Sequence, residues 1–526
     1  MQKQKLLIFN ILLNNCINNE DKIAVVEGNT SLSYKQLLDH VINMSQALLG
    51  AGVKPGNRIA TLAPPCIEYW ICFLASTAIG SQWLGLNPKH TKREYDYYVR
   101  DAAPSIIFTF STFDGRNYTE ELEKIICEAN LNEECRIIEF GGNSFDIQSS
   151  IDSLVKFGEP ASKKYFFDTA KAVQETDTAA IVYTSGSTGT PKGALLSHQA
   201  MCRCADASAS WMGTALEKAI IAFPINHIGS LNALGMNVFN YGGTIYFLKQ
   251  FRIKDIVELG KQEGVTFSGH NQTTFQMMLE SFNFSITDLS TLKLLVHGGS
   301  KTDIATLSKF RILDCNISSV YAQTESCGYV LRSEFSASLD VMANTIGKPV
   351  PGITARIRAR DDTHDLNEGE VGELQLHGNW LFSGYLNNQS ATEAAFTKDG
   401  FLRTGDLCLR RPDGNYEFVE RINNTYKSGG YNIYPAEIET VILEHPKVCL
   451  AAVIPVDHPR FGKVGFGFVT PHPKEDLDYT ELKEYLRREL ANYKIPKKLR
   501  IMESLPTLSN KKIDRQALKE IADGDA

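Results

Sequence analysis

Residues 183–193 read Tyr-Thr-Ser-Gly-Ser-Thr-Gly-Thr-Pro-Lys-Gly. Thr184, Ser185, Ser187, Thr188 and Thr190 carry hydroxyls, Gly186, Gly189 and Gly193 are interleaved with them, and Lys192 follows. Glycines let successive backbone N–H groups converge on one anion, hydroxyls rotate to meet phosphate oxygens, and lysine adds a mobile positive charge. A polyphosphate is the ligand this run fits. The Walker pattern does not describe it, because Pro191 stands where that loop needs its second glycine and Gly193 follows the lysine. Residues 178–183 are apolar and predict a buried strand from which the loop springs. A Ser/Gly surface linker is the bland alternative, and Pro191-Lys192-Gly193 at a strand exit speaks against it.

Other residues suit the same chemistry. Tyr321-Ala322-Gln323-Thr324-Glu325 ends on a carboxylate beside a hydroxyl, donors that suit a hard cation such as Mg2+. Asp406, after Arg403-Thr404-Gly405, offers acceptors to two donors at once, as a vicinal diol requires. A glycine turn, His297-Gly298-Gly299-Ser300, lies upstream of Tyr321, and two lysines, Lys511 and Lys512, lie near the end of the chain. Taken singly, Glu325 reads as a surface glutamate and His227 as a satisfied core histidine, and Asp406 has a turn residue as its bland alternative. Their order along the chain changes that reading.

In this order the runs resemble the signature of the adenylate-forming (ANL) superfamily, of the acyl- and aryl-CoA synthetase type. IGKPVPG (346–352), GELQLHG (372–378), DGFLRTGDL (399–407), KSGGYNIYPAEIE (427–439) and NKKIDR (510–515) extend the resemblance downstream. LSYKQL (32–37), GVKPGNRIA (52–60) and Asn87-Pro88 extend it upstream, so it covers nearly the whole chain. The resemblance implies an ATP-dependent carboxylic acid–CoA ligase, which forms an acyl-adenylate and pyrophosphate, then acyl-CoA and AMP. It assigns Thr184, Ser185, Gly186, Ser187, Thr188, Gly189 and Lys192 to the phosphates of ATP. Gly299, Ser300, Tyr321, Ala322 and Gln323 fall to the nucleotide, Thr324 to phosphate and Glu325 to magnesium. Asp406 is assigned to the ribose and Arg421 to ribose or phosphate. Gly298, His227 and Asn271 line the acid and thiol channel, with Gly429 and Gly430 as the wall passed by the pantetheine arm of coenzyme A. Lys512 is the catalytic lysine, aimed at the carboxylate and α-phosphate, and Thr184, Glu325 and His227 complete the catalytic set. Lys511 occupies the family's glycine position, and register with Ile513 and Arg515 selects Lys512.

The elements that must position these groups follow from pattern. Residues 34–52 carry apolar positions at helical spacing, 58–63 and 106–110 read as strands, and 67–80 as a helix. Short apolar runs at 219–223, 244–248, 265–268 and 292–297 alternate with helical stretches. Two layered α/β subdomains with largely parallel sheets are expected, then a small β-rich part at about 347–420. Residues 421–526 read as a small mobile α+β domain, with strands at 448–455 and 466–470, a helix at 480–492 and a hinge near 420–424. Domain boundaries are therefore expected at 1–420 and 421–526. Asn423 and Asn424 stand where relatives of this type carry charged hinge residues.

With 526 residues, the chain exceeds what one core usually holds. A net charge of −7 and the lack of a basic run argue against nucleic acid as partner. Eleven scattered cysteines fit a reducing, cytoplasmic setting, with Cys202 and Cys204 read as packing. No apolar run approaches the roughly 20 residues of a membrane span. The first residues, with Asn10 interrupting an apolar run, predict an amphipathic helix rather than a signal peptide.

Coenzyme A is the expected acceptor because no carrier domain follows the small domain. A separate carrier protein, a second copy of the chain as homodimer partner, and a catalytically silent nucleotide-binding regulator stay open. Residues 224–230 hold no aspartate, which disfavours an α-amino acid substrate. Asn271 and Gln272 replace a Val-Pro pair common among relatives, and two buried amides need partners. A substrate with a polar group beyond its carboxylate is expected on that ground.

Overall fold

Ser33 begins the first long helix, Tyr34–Gly50. Its hydroxyl accepts the Gln36 amide at 3.3 Å while the Gln36 side chain accepts the Ser33 amide at 2.8 Å, a reciprocal cap that satisfies two amides lacking helical partners. Leu37, Val41, Met44 and Leu48 are wholly buried along one stripe, as the spacing predicts.

The computed structural model describes residues 5–142, 145–184, 191–281, 284–428, 431–459, 461–490, 492, 494–508 and 511–524, the side chains of 423, 427, 431 and 432 excepted. Contacts group the chain into two units. One comprises Met1–Ala343, Gly347–Thr354 and His377–Gly400; the other comprises Asn344–Ile346, Ala355–Leu376 and Phe401–Ala526.

Among the described residues, the first unit is built on a nine-stranded and a seven-stranded sheet. In the larger, Lys218–Ile221, Phe267–His270, Leu294–Gly298 and Asn316–Gln323 lie side by side and parallel. In the smaller, Thr178–Thr184, Gln82–Leu86, Arg58–Leu62, Ile106–Thr109 and Arg136–Glu139 form a parallel series, extended antiparallel by Lys192–Ser197 and Gly384–Tyr385. Helix Ile67–Ala78 is buried at every residue. A helix buried all round needs cover on all sides, and Tyr69 finds it between the sheets, its ring 6.1 Å from Trp83 and 5.4 Å from Phe247. The strand expected at 265–268 begins two residues later. Gly264, at φ +65°, ends the preceding helix, and the next two residues return the chain through Val265 N–H to Gly260 and Thr266 Oγ1 to Ala215.

The second unit holds most of a four-stranded sheet in the order Ile353–Arg358, Gly372–Gly378, Leu402–Arg410 and Tyr416–Arg421, the last three antiparallel. Beyond it, the long hairpin of Val448–His458 and Gly462–Pro471 packs one face on Ile438, Ile442, Leu482 and Leu486 and the other on Leu518 and Ala522. The mixed α/β class, large part first and smaller α+β part last, is the expected one. Among the described residues, no helix is long and apolar enough to cross a membrane. Cys202 and Cys204 are buried free thiols, consistent with packing.

Candidate active site

The hydroxyl-and-glycine run joins two antiparallel strands, Thr178–Thr184 and Lys192–Ser197. Thr184 and Lys192 stand opposite each other as posts, the Thr184 hydroxyl donating to the Lys192 carbonyl at 3.4 Å. Ser185, Gly186, Ser187, Thr188 and Gly189 lie outside the described residues, as do Gly429 and Gly430. Three tyrosines brace the posts. Tyr183 donates to the Asp101 carboxylate at 2.5 Å, its ring lies 4.5 Å from that of Tyr98, and Tyr97 donates to the Pro191 carbonyl at 2.7 Å.

Lys192 Nζ lies 5.3 Å from the centre of the Tyr385 ring, within cation–π reach. The Tyr385 hydroxyl in turn donates to Glu325 Oε1 at 2.8 Å, and the Phe382 amide donates to the Glu325 carbonyl at 2.9 Å. Burial, then the neighbouring Glu325 carboxylate, push the phenol pKa up, so Tyr385 stays a donor. Tyr385 was no sequence candidate. Its position is set by pairing with Ala194 across the sheet, a long-range register that a Gly-Tyr dipeptide does not announce.

Gly298–Ser300 and Tyr321–Glu325 leave the carboxyl ends of neighbouring parallel strands, where open α/β sheets bind ligands. Only glycine fits at 298, since a Cβ there would lie 2.3 Å from the Val320 carbonyl oxygen. Gly299 takes φ +76°, and the Ser300 hydroxyl accepts the Gln272 amide at 3.4 Å. Tyr321 is buried, while Ala322, Gln323, Thr324 and Glu325 are half-buried. Ser326 holds this turn by accepting the Gln323 amide at 2.8 Å. The carboxylate of Glu325 and the adjoining Thr324 hydroxyl are hard oxygen donors, so the residues present fit magnesium.

His227 is half-buried, and its Nδ1 accepts the Gly229 amide at 3.0 Å. A neutral ring therefore carries its proton on Nε2. A π-helix, Gly229–Met236, follows it, a geometry that recurs at functional sites. Asn271 has a structural duty: its oxygen caps helix Gln272–Glu280, accepting from the Thr274 amide at 2.9 Å and hydroxyl at 3.0 Å. Gln272 bonds Asp303 through both ends of its amide. The protein thus supplies partners that the sequence reading reserved for a polar substrate, and that reading loses its premise.

In the second unit, Asp406 is 1% exposed, and its Oδ1 lies 2.7 Å from Arg421 Nε, opposite it in the sheet. Lys512 belongs to the same electrostatic group. Although the residue keeps solvent exposure, desolvation and then the Arg421 guanidinium push its pKa down, opposed by Asp406. Lys511 has φ +64° in a turn closed by Leu508 N–H to the Lys512 carbonyl at 2.7 Å. A glycine position occupied by lysine thus keeps the left-handed backbone that glycine takes easily.

Residues 13–386 match the AMP-binding enzyme family, and residues 437–512 match the C-terminal domain of AMP-binding enzymes. A feruloyl-CoA synthase from Amycolatopsis sp is 29% identical over 495 residues, covering 93% of this chain and 94% of that protein. The o-succinylbenzoate CoA synthetase (MenE) from Bacillus subtilis, in complex with its acyl-adenylate intermediate OSB-AMP, superposes with TM-score 0.82 at 27% identity, covering 97% of this chain and 98% of the other. The same enzyme with ATP and magnesium ion gives TM-score 0.81 at 26% identity, covering 97% and 99%. The chain belongs to the AMP-binding enzyme family of the adenylate-forming superfamily.

Proposed function

We propose that this protein is an AMP-forming carboxylic acid–CoA ligase working in the cytoplasm. A substrate carboxylate oxygen attacks the α-phosphorus of ATP, the bond to the departing pyrophosphate breaks, and an acyl-adenylate forms. Coenzyme A, having lost its thiol proton, then attacks the acyl carbon and AMP leaves. The observation that carries this reading is the buried Asp406 carboxylate, held 2.7 Å from Arg421 Nε in the unit that also carries Lys512. That unit joins a cation for the reacting anions to a carboxylate suited to the ribose diol.

In this reading the run from Thr184 to Lys192 takes the phosphates, Gly299, Ser300 and Tyr321–Gln323 border the nucleotide, and Thr324 donates to phosphate. Glu325 would hold magnesium, which offsets phosphate charge when bound. His227, Gly298 and Asn271 border the acid and thiol path, and Gly429 and Gly430, which carry no side chains, are assigned to the pantetheine arm. We place the hinge between the two functional domains at 420/421, inside the second contact unit, and turning at Asn423 would withdraw Lys512 before the thiol attacks. Feruloyl and succinylbenzoyl relatives make aromatic acids the first to try.

With ATP, Mg2+, CoA and a panel of aromatic, cyclic and alkyl acids, acid-dependent release of pyrophosphate and AMP with matching acyl-CoA is the expected outcome. Pyrophosphate release that stalls without AMP until a carrier protein is added points to carrier loading. ATP binding with no release from any acid points to the silent regulator and rejects the ligase.

Tyr385→Phe removes the phenol's donation to Glu325 while keeping the ring under Lys192. Its half-saturating Mg2+ concentration is expected to rise about tenfold, the scale of one hydrogen bond to a charged group. Nucleotide binding measured by calorimetry without Mg2+ should stay at the wild-type value. An unchanged magnesium dependence rejects this role for Tyr385.

A further inference from the structure

Strand Tyr416–Arg421 ends on two residues that face opposite ways, as strand geometry requires. Arg421 goes to Asp406. Glu420 points away from it and is 2% exposed. Its Oε1 accepts the Arg421 amide at 2.8 Å and the Asn424 side-chain amide at 3.0 Å, and its Oε2 accepts the Ala436 amide at 2.6 Å.

Ala436 is the second residue of helix Pro435–Leu443. First-turn amides lack partners within a helix, and the positive end of the helix dipole favours a carboxylate. Proline at 435 has no N–H and Tyr434 offers no side-chain cap, so Ala436 is the first amide needing an acceptor. Glu420 supplies it from the other side of the segment Ile422–Asn424. One turn further on, Glu439 takes both Arg515 contacts at 2.7 Å and accepts the Val453 amide at 2.7 Å. Arg515 also donates to the Val453 carbonyl at 3.1 Å. A continuous chain of bonded groups thus runs from Glu420 through the helix to the segment that carries Lys512.

We propose that Glu420 is a positioning residue for adenylate formation: it latches helix Pro435–Leu443 to the strand bearing Arg421, and through Glu439 and Arg515 it holds Lys512 in the company of Asp406. The inference rests on the ligase reading and adds to it a residue that touches no substrate. Glu420 precedes Asn423 while Asn424 and Ala436 follow it, so turning at Asn423 alters these bonds. The latch therefore favours the first half-reaction and is released for the second.

Glu420→Gln preserves shape but sets an uncharged amide against the Ala436 N–H, and Asn424→Ala removes one bond of the same latch. Three readouts are taken on the full chain: hydrogen exchange without substrates, single-turnover pyrophosphate release, and AMP release from prepared acyl-adenylate plus CoA. In Glu420→Gln, exchange is expected to quicken at residues 434–440 and also at 511–516. Pyrophosphate release should fall about tenfold, the scale of one lost bond to a buried charged group, with AMP release from adenylate unchanged or faster. Asn424→Ala should move the same way by less. A parallel fall of both half-reactions, or faster exchange at 434–440 with none at 511–516, overturns the latch. Exchange does not depend on the acid, so it tests the latch even if wild type activates no acid, an outcome that defeats the ligase reading alone.

Discussion

Lys512→Ala is expected to slow adenylate formation by roughly 10²–10³-fold, the range for removing one preorganised charge stabiliser. ATP affinity and thermal midpoint should stay close to wild type. A side chain that acts on charge developing between carboxylate and α-phosphate contributes little to the ground state, so the loss falls on the rate. The same variant should convert prepared acyl-adenylate and CoA to thioester at the wild-type rate. Lys511→Gly separates the two lysines, since it relieves a residue at φ +64° and keeps Lys512 in place. It should retain adenylation. The alkaline limb gives a further check on sign. In the ligase reading the charged ammonium is the active form, and desolvation with Arg421 lowers its pKa, so activity is expected to fall at lower pH than an unperturbed lysine would give. That limb should vanish from the residual rate of Lys512→Ala. Full adenylation by Lys512→Ala removes the lysine from the mechanism.

What the sequence discloses is what is local. The Ser33–Gln36 cap and the stripe from Leu37 to Leu48 lie within a few residues of one another, and the helix they specify is present. The mostly apolar stretch at 67–80 also reads as a helix, although only the structure shows the two sheets that bury it. Gly298 is legible as part of a glycine turn; its cause, the Val320 carbonyl on the next strand, is not. Tyr385 and Glu420 escape a reading by motif because their partners are set by strand pairing and by a helix start beyond the hinge. Asn271 and Gln272 show the opposite error. Two amides in place of the Val-Pro pair of relatives point to a polar ligand in sequence, whereas helix capping and the bond to Asp303 employ them locally.

Gly347→Ala is expected to destabilise the protein by about 4–5 kcal/mol or more, the scale reached only by severe lesions. Gly347 opens the short strand Lys348–Pro349, which pairs with Leu331 and Arg332. It has φ +81°, and a Cβ there would lie 1.8 Å from the Arg332 carbonyl carbon, 2.0 Å from its oxygen and 2.3 Å from the Ser333 nitrogen. All three are backbone atoms, so no rotamer change relieves the contact. The strand would have to leave its partner, Gly328–Arg332, which directly follows the turn carrying Thr324 and Glu325. Loss of structure there should reach the site as well as the fold. Gly52→Ala is the matched control in the same unit: Gly52 has φ +90° but nothing within 4 Å of the added carbon. Its cost should be about 1–3 kcal/mol, from backbone conformation alone. Thermal unfolding of both variants therefore separates steric exclusion from the left-handed backbone they share. Equal midpoints would show that the Arg332 contact yields easily, and the strictness claimed for this glycine would be wrong.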